Sequence, residues 1–206
     1  MPGGTLPSDY FERLYAGDPD PWRISAGWYE ERKRALVMAA LPQRKYSVGI
    51  EPGCGNGELT ALLAARCERL VAFDGAERAV EACRARVAGL DNVEVRLARV
   101  PYQWPEEMAD LVVLSEIGYY LAPADLDAVA TRAIAGLRSG GTLLAVHWRR
   151  PAPDYPLGGD DVHAHLFGRS ALARTGGYAD EDVRIDIFAA IPPPARSVAQ
   201  VAGVVS

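Results

Sequence analysis

The chain has 206 residues, of which 49% are hydrophobic and 24% charged, a composition that favours one globular domain with one core. Its formal net charge of -5 argues against a general nucleic-acid-binding protein, which would need a basic surface. No apolar run approaches the roughly 18 residues of a membrane-spanning helix, and the first residues lack a signal-peptide pattern, so we predict a cytoplasmic protein without a membrane partner.

Predicted helices and strands alternate through most of the chain. The predicted helices cover 8–17, Tyr29–Leu41, Glu58–Arg66, Ala76–Val87 and Pro123–Leu137. The predicted strands cover Ser47–Glu51, Leu70–Phe73, Val93–Leu97, Asp110–Ser115 and Thr142–His147, followed by the less regular Asp182–Ala190 and Ser197–Val205. Helices that connect successive strands imply parallel pairing through right-handed crossovers. The pattern therefore predicts an α/β, Rossmann-like, doubly wound fold with a mostly parallel seven-stranded sheet and helices on both faces.

A glycine-rich loop, Glu51-Pro52-Gly53-Cys54-Gly55-Asn56-Gly57, follows the first predicted strand. Open parallel sheets bind ligands at this position. A phosphate-binding loop would need a lysine after the last glycine, and Gly57 is followed by Glu58. The loop also differs from the Gly-x-Gly-x-x-Gly of dinucleotide sites, and Glu51 ahead of it would repel a pyrophosphate and attract an ammonium group.

A second carboxylate, Asp74, stands at the end of the second predicted strand, where it can accept both hydroxyls of a ribose. One carboxylate for an α-ammonium and one for a ribose describe S-adenosylmethionine. The glycines let the backbone approach that ligand without obstruction by a Cβ atom. Taken singly, Glu51 could be a surface carboxylate and Asp74 a helix N-cap; the pair favours the ligand.

Three further segments carry a family resemblance. They are DPDPWRISAGWYEERKR before the first strand, ADLVVLSEIGYYL across the fourth, and HWRRPAPDYPLGGDDVH after the fifth. Together with the glycine loop they resemble the class I S-adenosylmethionine-dependent methyltransferases, and among these the nodulation protein S-like group. The resemblance extends from about Asp9 to Gly177.

The resemblance implies one methyltransferase domain over residues 1–206, acting as a monomer or homodimer. Residues 1–42 would form N-terminal helices and a lid, 46–150 the cofactor-binding core, and 151–206 the acceptor side and the last strands. The implied reaction transfers a methyl group to a small molecule, an amine of an amino sugar or oligosaccharide-like acceptor, and leaves S-adenosylhomocysteine.

Cofactor-binding residues are expected in the lid, the glycine loop and the strand ends. They are Trp22, Arg32, Glu51, Gly53, Cys54, Gly55, Gly57, Asp74, Gly75, Arg99, Val100, Ser115, Glu116 and Tyr120. Trp22 would lie in a lid that excludes water, and Arg32 would pair with the cofactor carboxylate. Arg99 stands where the family often has an acidic residue near adenine, so the backbone near Val100 would hold the adenine or Arg99 would stack on it.

Candidates for the chemistry follow the fourth and fifth strands. Glu116 is expected to bind an ammonium substrate or to take its proton, and its alternative interpretation is a helix-capping carboxylate. His147 and His163 are suited to proton abstraction near neutral pH, and each has a structural hydrogen bond as its alternative. The spacing of the histidines forms no metal-binding pattern, so no metal is predicted.

Three other functions stay open at this point. They are O-methylation of a natural-product hydroxyl, an oxidoreductase domain of the nicotinamide dinucleotide type, and a cofactor-binding module without catalysis. Nitrogen and oxygen acceptors both need only a positioned lone pair, so the sequence does not separate them. Glu51 and the glycine spacing argue against the oxidoreductase.

Overall fold

The computed structural model of the chain describes residues 4–205, which form a seven-stranded sheet flanked by helices. The strands are β1 (Tyr46–Pro52), β2 (Cys67–Asp74), β3 (Val93–Leu97), β4 (Ala109–Ser115), β5 (Leu137–Trp148), β6 (Leu172–Ala179) and β7 (Val183–Ala190). The helices are α1 (Ser8–Gly17), α2 (Trp28–Ala40), α3 (Glu58–Ala64), α4 (Glu77–Arg86), α5 (Pro123–Gly136), α6 (Gly159–Phe167) and α7 (Val198–Val201), with a 3-10 turn at Gly118–Tyr120. Within residues 4–205, no helix is long and apolar enough to cross a membrane.

The strand order is β3-β2-β1-β4-β5-β7-β6, which confirms the predicted Rossmann-like α/β fold. The first five strands are parallel, and β7 runs antiparallel to both β5 and β6. The direction in which strands are added reverses between β1 and β4. From β1 the chain adds β2 and β3 on one side, and it then crosses to add β4 on the other side of β1. Such a reversal opens a crevice at the carboxyl ends of the strands.

The central strand β4 is buried on both faces, as its continuous apolar run indicates. Val112 and Leu114 pack in one core cluster with α5 and α6. Leu111 and Val113 face the opposite way and pack in a second cluster with α2 and α3. The two cores hold the carboxyl end of β4 in a fixed position, and the residues that follow it are functional candidates.

The C-terminal part departs from the prediction. Residues 172–179 form strand β6, which the sequence analysis missed, and the predicted strand Ser197–Val205 contains the short helix α7 instead. Ser197 caps that helix by accepting a hydrogen bond from the backbone N–H of Gln200, and the Gln200 side chain bonds back to Ser197. This reciprocal cap stabilises a helical turn where a run of valines had suggested a strand.

Candidate active site

A cavity of about 590 Å³ lies at the carboxyl ends of the parallel strands. It is enclosed by the glycine loop, the segments that follow β2, β3 and β4, the two N-terminal helices, and the loop of residues 18–27 between them. The predicted site residues that line it are Trp22, Glu51, Gly53, Cys54, Gly55, Asp74, Gly75, Arg99, Val100, Ser115, Glu116 and Tyr120. Arg32, Gly57, His147 and His163 do not line it.

Glu51 places a buried carboxyl group in the cavity wall. Its side chain is 2% exposed, it hydrogen-bonds with Thr60, and its Oε2 atom has no hydrogen-bond partner in the described part of the chain. Burial raises the pKa of Glu51 to about 8. A buried carboxyl oxygen without a partner is costly unless a ligand satisfies it. The site therefore fits a cationic ligand group such as an α-ammonium.

We expect binding of S-adenosylhomocysteine to release close to one proton at about pH 6.5. The unoccupied protein holds Glu51 protonated below its pKa of about 8, and the ligand ammonium favours the carboxylate. Affinity should therefore rise between about pH 6 and 7.5, with an upper limit of tenfold per unit. Calorimetry in buffers of different ionisation enthalpy counts the protons. The Glu51→Gln variant should bind more weakly and release none; release equal to that of the unmodified protein would contradict the assignment.

Asp74 ties the glycine loop to the end of β2. Its Oδ2 atom accepts the Gly55 N–H at 3.1 Å, and its Oδ1 atom accepts the Ala76 N–H at 2.9 Å. Gly53 and Gly55 have φ angles of 71° and 54°, in the left-handed region that favours glycine. A Cβ atom on Gly53 would lie 2.9 Å from Ile117 Cδ1, so this backbone makes close contact with the cavity wall.

Two other residues of the loop have structural roles. Gly57 has a φ of 83°, and a Cβ atom there would lie 2.9 Å from the Sγ atom of Cys83, so Gly57 packs against α4 rather than lining the cavity. Cys54 does line the cavity, but a hydrogen bond with Cys83 and burial raise the pKa of its thiol well above the usual range. All three cysteines are buried and free. Cys54 is thus a protonated, packed thiol.

The segment after β3 forms the cavity wall beside Gly75. A Cβ atom on Gly75 would lie 3.2 Å from Arg99 Cγ, so the aliphatic part of Arg99 packs over this glycine. The Arg99 N–H donates to the Gln103 side chain at 2.9 Å. Val100 lines the same wall. The roles of Arg99 and Val100 at the adenine stay predictions.

The loop of residues 18–27 covers the cavity. The Trp22 ring packs against Tyr15 and Tyr120, with centroids 5.6 and 6.3 Å away. Asn56 of the glycine loop donates to the Ser25 hydroxyl at 2.8 Å, which fastens the cover to the cavity floor. Such a cover restricts the access of water to the part of the cavity beneath it.

The structure corrects the expectation for Arg32. Its guanidinium pairs with Asp180 at 3.0 Å and donates to the Tyr178 hydroxyl, on the side of α2 that faces the β6–β7 turn. The following basic residues, Lys33 and Arg34, line the cavity instead. The helical period turns adjacent residues of α2 in different directions, and the sequence alone did not show which one faces the crevice.

Glu116 joins three elements at the other end of the cavity. Its Oε1 atom accepts from Lys33 Nζ at 2.8 Å, and its Oε2 atom accepts from the Tyr119 hydroxyl and from the Trp148 N–H, the latter at 2.9 Å. Lys33 also pairs with Glu30 at 2.9 Å. Glu116 has a φ of 55°, which costs about 1–3 kcal/mol in a residue other than glycine. These contacts hold the strained residue, and its carboxylate, in place.

Three tyrosines form a wall beside Glu116. The Tyr119 and Tyr155 rings stack with centroids 5.0 Å apart and an interplanar angle of 19°. Tyr120 meets each of them edge-on at 4.7 Å. All three line the cavity. Such a wall suits the apolar face of a sugar ring or a cation.

His147 and His163 form a buried hydrogen-bonded chain behind this wall. The Gly118 N–H donates to His147 Nε2 at 3.1 Å, which leaves the proton of the neutral ring on Nδ1. That atom lies 3.2 Å from His163 Nε2, and His163 Nδ1 lies 2.7 Å from Asp186 Oδ2. Burial lowers the pKa of His147 well below its usual value, which keeps the ring neutral.

This geometry corrects the expectation that either histidine acts directly on the acceptor. Both rings are fully buried, and neither lines the cavity. They instead connect the β5–β7 region of the sheet to Gly118, the first residue of the 3-10 turn that carries two of the tyrosines. We infer that they position that turn.

Comparison with known proteins identifies the family. A model of the family described as nodulation protein S (NodS) matches residues 8–150. The chain belongs to the nodulation protein S family. Nodulation protein S of Sinorhizobium fredii (strain NBRC 101917 / NGR234) is 33% identical over 113 residues, which cover 54% of this chain and 51% of that protein.

Two solved structures show the likeness in three dimensions. A Pseudomonas syringae protein assigned as a methyltransferase is 44% identical with a TM-score of 0.72, and the match covers 79% of this chain and 99% of that one. The N-methyltransferase NodS from Bradyrhizobium japonicum WM9, in complex with S-adenosylhomocysteine, is 26% identical with a TM-score of 0.79 over 91% of this chain and 98% of that one. The chain spans about half the length of the curated nodulation protein S relatives that it matches.

The family match and the fold agree with the class I S-adenosylmethionine-dependent methyltransferases, and the Bradyrhizobium japonicum NodS structure is a complex with S-adenosylhomocysteine. The residues present fit this molecule. Glu51 supplies a carboxyl oxygen without a partner for the amine, and the glycine loop lets the backbone approach. The family match argues against the oxidoreductase alternative.

Proposed function

We propose that this NodS family member is an N-methyltransferase that acts on the amine of a small hydroxylated acceptor of the amino-sugar or oligosaccharide type. The observation that carries the proposal is one cavity lined by two chemically different groups of residues. The first group is Glu51, Asp74 and the glycine loop, at the carboxyl ends of β1 and β2; the second is Glu116 and the tyrosine wall. The Bradyrhizobium japonicum relative, described as an N-methyltransferase, supports nitrogen as the acceptor atom.

The cofactor, when bound, supplies a methyl group on a positively charged sulfur. In the transfer, the acceptor nitrogen forms a bond to the methyl carbon as the carbon–sulfur bond breaks, and S-adenosylhomocysteine leaves. A neutral amine is needed for this step, and a methylammonium group results. Positioning of the two reactants supplies much of the rate enhancement.

The protein's own residues set up that step. The cover over the cavity, with Trp22, restricts the access of water, and the tyrosine wall confines the acceptor. Glu116 accepts three hydrogen bonds, which leaves one acceptor site on its carboxylate for an N–H of the acceptor amine. Lys33 and the Trp148 N–H keep this carboxylate in a fixed place.

Paired acceptors test the proposal. Glucosamine is compared with glucose, and cyclohexylamine with cyclohexanol, by release of S-adenosylhomocysteine and by the mass of the product. We expect both amines, and neither alcohol, to gain a methyl group. The Glu51→Gln variant serves as the control for background hydrolysis. Transfer to the alcohols alone would favour the O-methylation alternative, and binding of cofactor with no transfer would favour a module without catalysis.

The remaining sequence-based statements stay proposals. They are the division into lid, core and acceptor-side segments, the cytoplasmic location, the monomer or homodimer state, and the absence of nucleic-acid and membrane partners. A small-molecule acceptor agrees with the cavity volume of about 590 Å³.

A further inference from the structure

Two buried polar atoms of cavity-lining residues lack a hydrogen-bond partner within residues 4–205. They are Glu51 Oε2 and Tyr29 Oη. The cofactor amine accounts for the first. The ring of Tyr29 contacts Trp148 and Lys33, the neighbours of Glu116, and folded proteins seldom leave a buried hydroxyl unpaired. The Tyr29 hydroxyl therefore indicates a further contact with a ligand.

The position of Tyr29 places that contact at the acceptor end. Its ring meets Trp148 edge-on with centroids 5.3 Å apart, and Lys33 Nζ lies 5.4 Å from its centroid. Both neighbours also hydrogen-bond to Glu116, Lys33 through its ammonium and Trp148 through its N–H. Tyr29 thus shares its surroundings with the carboxylate that faces the acceptor.

The charged groups around Tyr29 are already engaged with one another. Glu116 accepts from Lys33, Tyr119 and Trp148, and Glu30 accepts from Lys33. Burial, and then the charge of Glu116, raise the pKa of Tyr29, so its hydroxyl stays protonated. A neutral phenol both donates and accepts one hydrogen bond, as an alcohol does. A ligand hydroxyl group, which also donates and accepts, is the matching hydrogen-bond partner for Tyr29 Oη.

We infer that Tyr29 Oη binds a hydroxyl group of the acceptor close to its amine. Tyr29 is then a specificity-determining residue that favours hydroxylated amines over plain ones. The inference rests on the proposed function, since it concerns the acceptor of that same reaction. A site built to bond a hydroxyl discriminates against an analogue that lacks it.

The Tyr29→Phe variant tests the inference because it removes only the hydroxyl and keeps the ring against Trp148. The KM for glucosamine should rise by about five- to tenfold, the effect of one neutral hydrogen bond, with kcat unchanged. The KM for cyclohexylamine and the affinity for S-adenosylhomocysteine should not change. The Tyr102→Phe variant is the matched control, since Tyr102 is 73% exposed and lies outside the cavity.

The outcomes separate the inference from the proposed function. An unchanged KM for glucosamine in Tyr29→Phe, or an equal rise for both amines, would overturn the role of Tyr29 and leave the N-methyltransferase standing. If the unmodified protein methylates neither amine, the proposed function fails first and the inference fails with it.

Discussion

Replacement of Asp186 by alanine should lower the free energy of unfolding by about 1–3 kcal/mol, because it leaves the buried His163 ring without its hydrogen-bond partner and removes the carboxylate from two partly exposed arginines. The Asp186 side chain is 1% exposed. Its carboxylate accepts hydrogen bonds from His163 Nδ1 at 2.7 Å, from Arg174 Nε at 2.6 Å and from Arg184 Nε at 2.8 Å. Burial acts to raise the pKa of Asp186, yet these partners hold it at about 2, so the group is ionised in the folded protein.

Urea denaturation measures this loss, and Asp182 supplies the control. Asp182 pairs with Arg150 at 2.7 Å just before β7, but both side chains are largely exposed. Exposed pairs contribute about 0–1 kcal/mol, so Asp182→Ala should have a small effect. Equal losses in the two variants would contradict the buried chain from Asp186 to Gly118. The remaining folded protein should also show a raised KM for the acceptor, since the tyrosine turn loses its support.

Replacement of Asp74 by alanine should weaken the binding of S-adenosylhomocysteine by roughly 10- to 150-fold, which corresponds to the loss of about 1.5–3 kcal/mol in charge-assisted hydrogen bonds. The same substitution releases the Gly55 and Ala76 N–H groups, which Asp74 holds at 3.1 and 2.9 Å. We therefore expect the hydrogen bonds to the loop and the proposed ribose contact to be lost together.

The Asp74→Asn variant separates these two contributions. Asparagine keeps one acceptor oxygen for the loop but removes the negative charge. We expect an intermediate affinity, measured by calorimetry at a fixed salt concentration. An affinity unchanged in both variants would remove Asp74 from the ribose role, while leaving Glu51 as the amine contact.

Most of the residues proposed to bind the cofactor could be predicted from local sequence patterns. The apolar run of β4 and the glycine loop after β1 are each one continuous stretch of sequence. Parallel topology brings the carboxyl ends of neighbouring strands to one edge of the sheet. The sequence alone therefore places Glu51 and Asp74 together. The missed strand β6 is an edge strand with two consecutive glycines, Gly176 and Gly177, which weaken its strand signal.

The acceptor end depended on contacts that no local pattern shows. Lys33 meets Glu116 across 83 positions of sequence, and the choice between Arg32 and its neighbours depends on how α2 is rotated. The sequence does contain a pattern that indicates a buried position for His163. In α6, buried positions recur as Gly159, Val162, His163 and Leu166, the spacing of a core-facing helical stripe. That period places His163 in the core rather than in the cavity.

A crystal structure with S-adenosylhomocysteine bound would show directly how the ligand lies in the cavity. We expect the ligand amine against Glu51, the ribose hydroxyls on Asp74, and the sulfur directed towards Glu116 and the tyrosine wall. A ribose far from Asp74, or a sulfur directed away from Glu116, would contradict the division of the cavity into a cofactor end and an acceptor end.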